Sequence, residues 1–303
     1  MVSPPHSRWQ LPGAGLIVHA DDFGLSERVN EGILLAHTKG LVTSTSIMAV
    51  GSAFEHAVEL WRAAPSLDIG VHLTLTEEQP LLPAMAIPSL VGGASRFHRH
   101  VTNFAKRYAL GKIRREEVRL ELEAQLRKVL DSGLPVSHMD SHQHVHILPG
   151  VFAVVAGLAR KYRIPAVRVP HERLSWKLFR QASSLTRALQ LLVLNVLSHK
   201  ASVASPLTHR TGHFAGFIFG GNLNLQSLRF LLRHLPGSGT CELMCHPGLD
   251  DPQSQYKHWG YQWSAELEAL QDPECRSLLQ QRNISLISYQ DLVQPRGVGC
   301  PSI

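Results

Sequence analysis

Five short apolar runs, each parted from the next by a helical stretch, recur between Leu16 and Pro170 and leave few folds open to this chain. Leu16–Ala20 breaks into Asp21-Asp22-Phe23-Gly24. Val42–Val50, Leu67–Thr74, Pro135–Asp140 and Ala166–Pro170 follow, rich in β-branched residues. Between them Leu25–Lys39, Phe54–Ala64, Arg115–Gly133 and Pro149–Tyr162 carry helical periodicity, with Ser26 as an N-cap and Gly40 as a stop. Parallel strands need crossovers of this kind, so the alternation predicts an α/β fold with a parallel sheet. Later strands are expected at Thr211–Ile218, Gly239–Cys245 and Ile284–Ile287, with helices at Leu223–Leu235 and Ala265–Gln281. The strand count approaches that of a (β/α) barrel, and 303 residues suit one such domain spanning 1–303.

Two segments depart from the alternation. The proline- and glycine-rich stretch 79–111 reads as a loop insertion over the strand ends. The stretch 174–200 contains Leu185–Leu197, apolar around most of a helix, and reads as a helical insertion. About 20 uninterrupted apolar residues are needed to span a bilayer, and this run is shorter and broken. A core or homodimer-interface helix is one reading of it. The other is a helix against a membrane or a greasy ligand, with Leu189 and Leu192 as contacts and Lys177, Arg180, Arg187 and Lys200 nearby.

Hydrophobic content of 44% and charged content of 18% describe a chain that can bury a core. The formal charge of +6 is spread without a run of like charges, which argues against a nucleic-acid reader. Four cysteines, of which Cys241 and Cys245 sit among apolar neighbours, give no zinc clasp. With no secretory signal over Met1–Pro12, a reducing, cytoplasmic setting is expected.

The 18 histidines matter through their placement. In α/β proteins chemistry gathers beyond the carboxyl ends of strands, where this sequence puts Asp21, Asp22, His72, His142 and His246. Each has a plain alternative: an Asx turn for the aspartates, a satisfied core histidine for His72, a solvated turn for His142–His146. Taken together, Asp22, His72 and His142 offer one carboxylate and two imidazoles, a donor set that leaves a metal open positions. Asp21 is then a candidate base and His246 a candidate acid. Trp259 and Tyr261 are candidates to stack on a substrate ring, and aromatic clusters form cores at least as often.

Ala20-Asp21-Asp22-Phe23-Gly24, Gly70-Val71-His72-Leu73, Asp140-Ser141-His142-Gln143-His144-Val145-His146 and Glu242-Leu243-Met244-Cys245-His246-Pro247-Gly248 resemble, in order, the signature blocks of the YdjC-like carbohydrate deacetylases. The similarity runs from about Gly15 to Leu292. It implies a single distorted (β/α) barrel similar to polysaccharide deacetylases, and hydrolysis of the acetamide of N-acetylated amino sugars. Carried over, it makes Asp22, His72 and His142 ligands of one divalent metal, Asp21 the base and His246 the acid. Arg168 is implied near the pocket, orienting substrate or base, with His144 and His146 beside the substrate. The family is described with magnesium; the two imidazoles favour zinc. Gly212–Phe217 and Tyr256–Trp263 resemble the hopanoid-biosynthesis-associated branch, which implies an N-acetylglucosaminyl lipid as substrate and peripheral membrane contact. The alternatives are a deacetylase of soluble chitooligosaccharides and a non-catalytic metal-dependent sugar-binding protein.

Overall fold

The computed structural model describes residues 13–173, 185–204 and 209–293. Eight strands run parallel: β1 Ala14–Phe23, β2 Ser44–Ile47, β3 Asp68–Leu73, β4 His138–Ser141, β5 Ala166–Val167, β6 His213–Ala215, β7 Gly239–Cys245 and β8 Ile284–Leu286. Their order is β5-β4-β3-β2-β1-β7-β6, with β8 also paired to the start of β1. The two edges come together through an isolated parallel bridge between Glu172 and Phe214. The sheet is thus a distorted (β/α) barrel, as the resemblance implied, and parallel throughout, as the alternation predicted.

All ten residues of β1 are buried, so the period of two separates two kinds of interior. Leu16, Val18 and Ala20 face the helices and join the main core. Ile17 points into the barrel, where it packs with Ala166, Ile287, Tyr289 and Leu292 as an apolar plug. His19 and Asp21 follow on the same inward side, and they are not apolar. The barrel interior changes from greasy to ionic as it rises toward the strand ends.

Local chemistry explains the helix boundaries. Ser26 caps Glu27–Thr38 by accepting from the Val29 N–H, and Asn224 caps Leu225–His234 likewise. The expected helix Ala265–Gln281 is two, Trp263–Gln271 and Pro273–Gln281, because Asp272 caps a new start and Pro273 cannot donate to the old one. The stretch 79–111 holds a helix at Val101–Ala109 that anchors Phe104 in the core. Gly32 sits where a Cβ would meet the Gly248 backbone at 2.3 Å, so the first helix packs directly on the turn after β7.

The helix Leu185–Ala204 covers most of the apolar insertion; residues 174–184 lie outside the described part of the chain. One face buries Ala188, Leu191, Leu194, Ser198 and Ala201. The opposite face leaves Leu185, Leu189, Leu192, Val193 and Val196 each more than half exposed. No helix among the described residues is long and apolar enough to cross a membrane.

Candidate metal centre

Strand register collects the candidate residues at one end of the barrel. His72 pairs with Asp140 across β3 and β4, and His142 follows Ser141 by one residue. Ala20 pairs with Cys245, so Asp21 and His246 leave β1 and β7 side by side. Asp22 turns at φ +68°, a left-handed conformation that aspartate tolerates better than most residues. Gln143 and His144 are also left-handed, at φ +53° each, within the 3-10 turn His142–Ile147. Non-glycine residues held this way cost on the order of 1–3 kcal/mol each and collect at functional sites.

Asp22, His72 and His142 are buried, and their ligand atoms lie within 4.8 Å of one another. Asp22 Oδ1 accepts from His142 Nδ1 at 2.9 Å and sits 3.2 Å from His72 Nε2 without hydrogen-bond alignment. Asp22 Oδ2, His72 Nε2 and His142 Nε2 are all buried without a hydrogen-bond partner. One orphaned buried polar atom is uncommon; each of these three residues keeps one, and a cation held among their ligand atoms would fit the cluster. Behind them His72 Nδ1 is oriented by Asp140 at 2.9 Å and Ser46 at 2.9 Å, the carboxylate–imidazole arrangement that fixes a metal-ligating histidine.

Charge supports the same reading. Burial disfavours every ion here, and attraction between neighbours outweighs it. Beside His142 and His72, the Asp22 carboxyl is held well below its usual range. Asp140 raises His72 to about 10 in the absence of a cation. Arg168, fully enclosed, forks onto Asp21 (Nη2–Oδ1 2.7 Å, Nη1–Oδ2 2.9 Å) and also pairs with Asp140 and Glu242 at 2.8 Å each. Its neighbours Asp140, Asp21 and Glu242 lift its pKa well above the usual value against burial. Asp21, Asp140 and Glu242 face one guanidinium and Asp22 lies close by, four carboxylates with a single permanent cation among them. A divalent cation would relieve much of their repulsion.

Asp21 also meets His19 Nδ1 at 2.9 Å, and His19 Nε2 meets His138 Nε2 at 2.8 Å. Burial opposes the Asp21 charge, yet Arg168 keeps the carboxyl well below its ordinary range, so it is ionised at neutral pH. Arg168 is fully enclosed, and its contacts run to Asp21, Asp140 and Glu242. His246 anchors by its backbone, whose N–H donates to Glu266 at 2.6 Å, and its Nδ1 is buried without a partner. A run of rings links it to the centre: His246 to Tyr261 at 4.8 Å, Tyr261 to Trp259 at 5.5 Å, Trp259 to His142 at 5.0 Å.

The remaining candidates divide. His144 keeps a buried, unpartnered Nδ1 and packs on Phe214 and Phe217. His146 is fully enclosed and spends both nitrogens internally, on Ser141 Oγ at 2.5 Å and the Arg168 carbonyl at 3.0 Å. Its ring brings nothing to a substrate and instead ties the turn to Arg168. Leu189 and Leu192 stand on the exposed helix face, whose helix meets the turns His142–Ile147 and Phe217–Phe219. Asp140, Glu242 and His19 escaped the sequence reading. Their signal was available, since each is an ionisable residue on a strand expected to be buried.

Three comparisons bear on the site. The profile of the YdjC-like protein family matches residues 15–281. A carbohydrate deacetylase of Brevibacillus brevis is 34% identical over 278 residues, 91% of this chain and 99% of the relative. A chitooligosaccharide deacetylase of Yersinia enterocolitica is 33% identical over 279 residues, 91% of this chain and 98% of the relative. Among solved structures, one from Enterococcus faecalis V583, described as a candidate cellobiose-phosphate cleavage protein, aligns with a TM-score of 0.69 and 30% identity. It covers 92% of this chain and 98% of that one.

Proposed function

The chain belongs to the YdjC-like family, and from that premise we propose that it deacetylates an N-acetylated amino sugar at a divalent metal held by Asp22, His72 and His142. Deacetylase activity itself follows from relatives of that name spanning nine-tenths of the chain. The observation that carries the metal is the gathering of one carboxylate and two imidazoles, all buried, with ligand atoms within 4.8 Å of one another. Two imidazoles and one carboxylate favour zinc over magnesium. Such an ion supplies Lewis acidity toward the acetyl carbonyl and makes water easier to deprotonate.

The chain's own groups do the rest. Asp21, ionised and fixed by Arg168, takes the proton from the attacking water as the new C–O bond forms. His246 gives a proton to the amine nitrogen as the C–N bond breaks, leaving acetate and a free amino sugar. Tyr261 and Trp259 wall the space between His246 and His142 and limit water there.

The finer reading is a sugar carried on a hopanoid, with the protein resting against a membrane face. The exposed Leu185–Val196 face supports it, because that helix carries no acidic residue and packs beside the site. The same face suits a homodimer, and soluble chitooligosaccharides are the second substrate reading, favoured by the Yersinia relative. Acetate release from N-acetylglucosaminyl hopanoid and from chitobiose, each with and without chelator, tests all of this. Release that chelator does not diminish removes the metal; faster turnover of chitobiose removes the lipid.

A further inference from the structure

Against the metal centre lies a second cavity, of about 250 Å³, that the steps above leave unused. Glu77, Glu78, Arg96, Arg99, Tyr256 and Trp259 line it. Its walls come from the turn after β3, the 79–111 insertion and the loop after β7, so it sits at the same end of the barrel.

Two buried side chains in it carry polar atoms that no other protein group satisfies. Glu78 is 5% exposed, and its Oε1 has no hydrogen-bond partner; Tyr256 is 4% exposed, and neither does its Oη. Tyr256 lies near enough to Glu78 to influence its carboxyl, but not in bonding alignment. Leaving a buried polar group unsatisfied costs about 1–3 kcal/mol, so two on one cavity point to donors and acceptors that arrive with a ligand. Glu78 Oε2 is braced 3.5 Å from Arg96. Glu77, in the left-handed region at φ +68°, is held by the His100 N–H at 3.1 Å and by Gln143 at 3.4 Å. Trp259 belongs to both spaces: its ring is 5.0 Å from that of His142, and its indole Nε1 is also unpartnered.

The charges identify the class of ligand. With His258, which lies 3.8 Å from Glu77, uncharged, two glutamates and two arginines leave the lining formally neutral, with donors and acceptors interleaved. A phosphate or a metal ion would find no net attraction there. A neutral polyhydroxylated ring would find an acceptor in Glu78, a donor or acceptor in Tyr256, and an aromatic wall in Trp259.

We propose that this cavity is the subsite for the ring hydroxyls of the sugar whose acetamide enters the metal centre, with Glu78 and Tyr256 as the residues that read them. The identity of that ring rests on the deacetylase reading; the neutral, hydroxyl-binding chemistry does not. Binding is measured by calorimetry on chelator-treated, full-length protein, with N-acetylglucosamine and N-cyclohexylacetamide as probes. The second has the same acetamide on a ring without hydroxyls. Wild type prefers the sugar roughly ten-fold or more, and Glu78→Gln and Tyr256→Phe each lower that preference about ten-fold.

An equal preference in variants that melt like wild type overturns the proposal, as does tighter binding of a phosphorylated sugar. Should the variants misfold, a crystal of chelator-treated wild type soaked with N-acetylglucosamine decides. Ring hydroxyls within hydrogen-bond reach of Glu78 support the proposal, and a ring bound elsewhere overturns it. Acetate release by wild type separates this from the activity: a sugar seated on Glu78 without turnover refutes the deacetylase and leaves the subsite. Turnover with unchanged preference in both variants refutes the subsite alone.

Discussion

Arg168→Met removes the cation on which the barrel interior depends, and the structure sets the size of the effect. The guanidinium is wholly enclosed and compensates Asp21, Asp140 and Glu242 through contacts of 2.7–2.9 Å. Deleting one partner of a buried ion pair costs about 3–5 kcal/mol, because the charge left behind is desolvated and unpaired. Here three carboxylates lose their partner at once, so the upper end of that range is expected. Against a typical total of about 5–15 kcal/mol, this is a large share of the stability. At roughly 2–4 °C per kcal/mol for a chain of this order of size, thermal melting drops by about 10 °C or more. The diagnostic comes from Glu242→Gln. In wild type it removes a partner of Arg168 and of the Tyr289 hydroxyl, which donates at 2.6 Å, and it destabilises. In the Arg168→Met background it removes an uncompensated anion and stabilises. Denaturant unfolding of the four proteins measures this coupling, expected at about 1–3 kcal/mol. Glu242→Gln destabilising both backgrounds equally would refute the account of a charge-balanced interior.

Asp140→Asn leaves the ligands in place but loosens the hold on His72, so metal affinity falls about 10- to 100-fold in a competition titration with a chelating dye. Asp21→Asn keeps the metal and lowers acetate release about 10²- to 10⁴-fold; full activity would remove Asp21 as the base. Glu172, which accepts N–H bonds from Gly216 and Ile218 in the closure of the barrel, is pushed by burial up to about 7. Its folded form therefore binds a proton more tightly than the unfolded chain. Stability is fully present below about pH 4.5 and falls by about 3 kcal/mol as pH rises through 7, and Glu172→Gln flattens that slope in urea melts. Leu189→Gln with Leu192→Gln slows acetate release from a hopanoid-linked sugar several-fold more than from chitobiose; equal losses return the exposed face to a subunit contact.

The strands and most helices were legible because burial imposes a period, and the period survives in the residues themselves. The helix Val101–Ala109 was not, since nine residues give too few turns to outweigh the prolines and glycines around them. The break at Asp272-Pro273 was legible and was passed over, although an N-cap followed by proline marks a helix start. Asp22, His72, His142 and His246 could be found at strand ends from pattern alone. Glu77, Glu78 and Glu266 could not, because a glutamate in a loop or on a helix reads as surface until the fold buries it. Left-handed backbone at Asp22, Glu77, Gln143 and His144 is likewise a tertiary outcome: Asp22 and His144 are of types that tolerate it, but neither type demands it, and Glu77 and Gln143 are not of such types.

The interior of the barrel accounts for why the acids of the site can be so close. At the bottom, Ile17, Ala166, Ile287, Tyr289 and Leu292 exclude water and hold the Tyr289 hydroxyl against Glu242. Above them Arg168 balances Glu242, Asp140 and Asp21, and stacked His138 and Tyr289 rings at 3.9 Å pack beside His19. Gly70 makes room for that layer, since a Cβ there would lie 2.4 Å from His138 Nε2. Only the topmost acid, Asp22, lacks a permanent cation, having imidazoles as neighbours instead. Asp22 thus stands at the strand ends beside two imidazoles, above the layer that the arginine holds. On the proposed reading, an apolar plug and a fixed arginine would leave a metal as the removable part of this charge balance, and Gly70→Ala should disturb that layer without touching Asp22, His72 or His142.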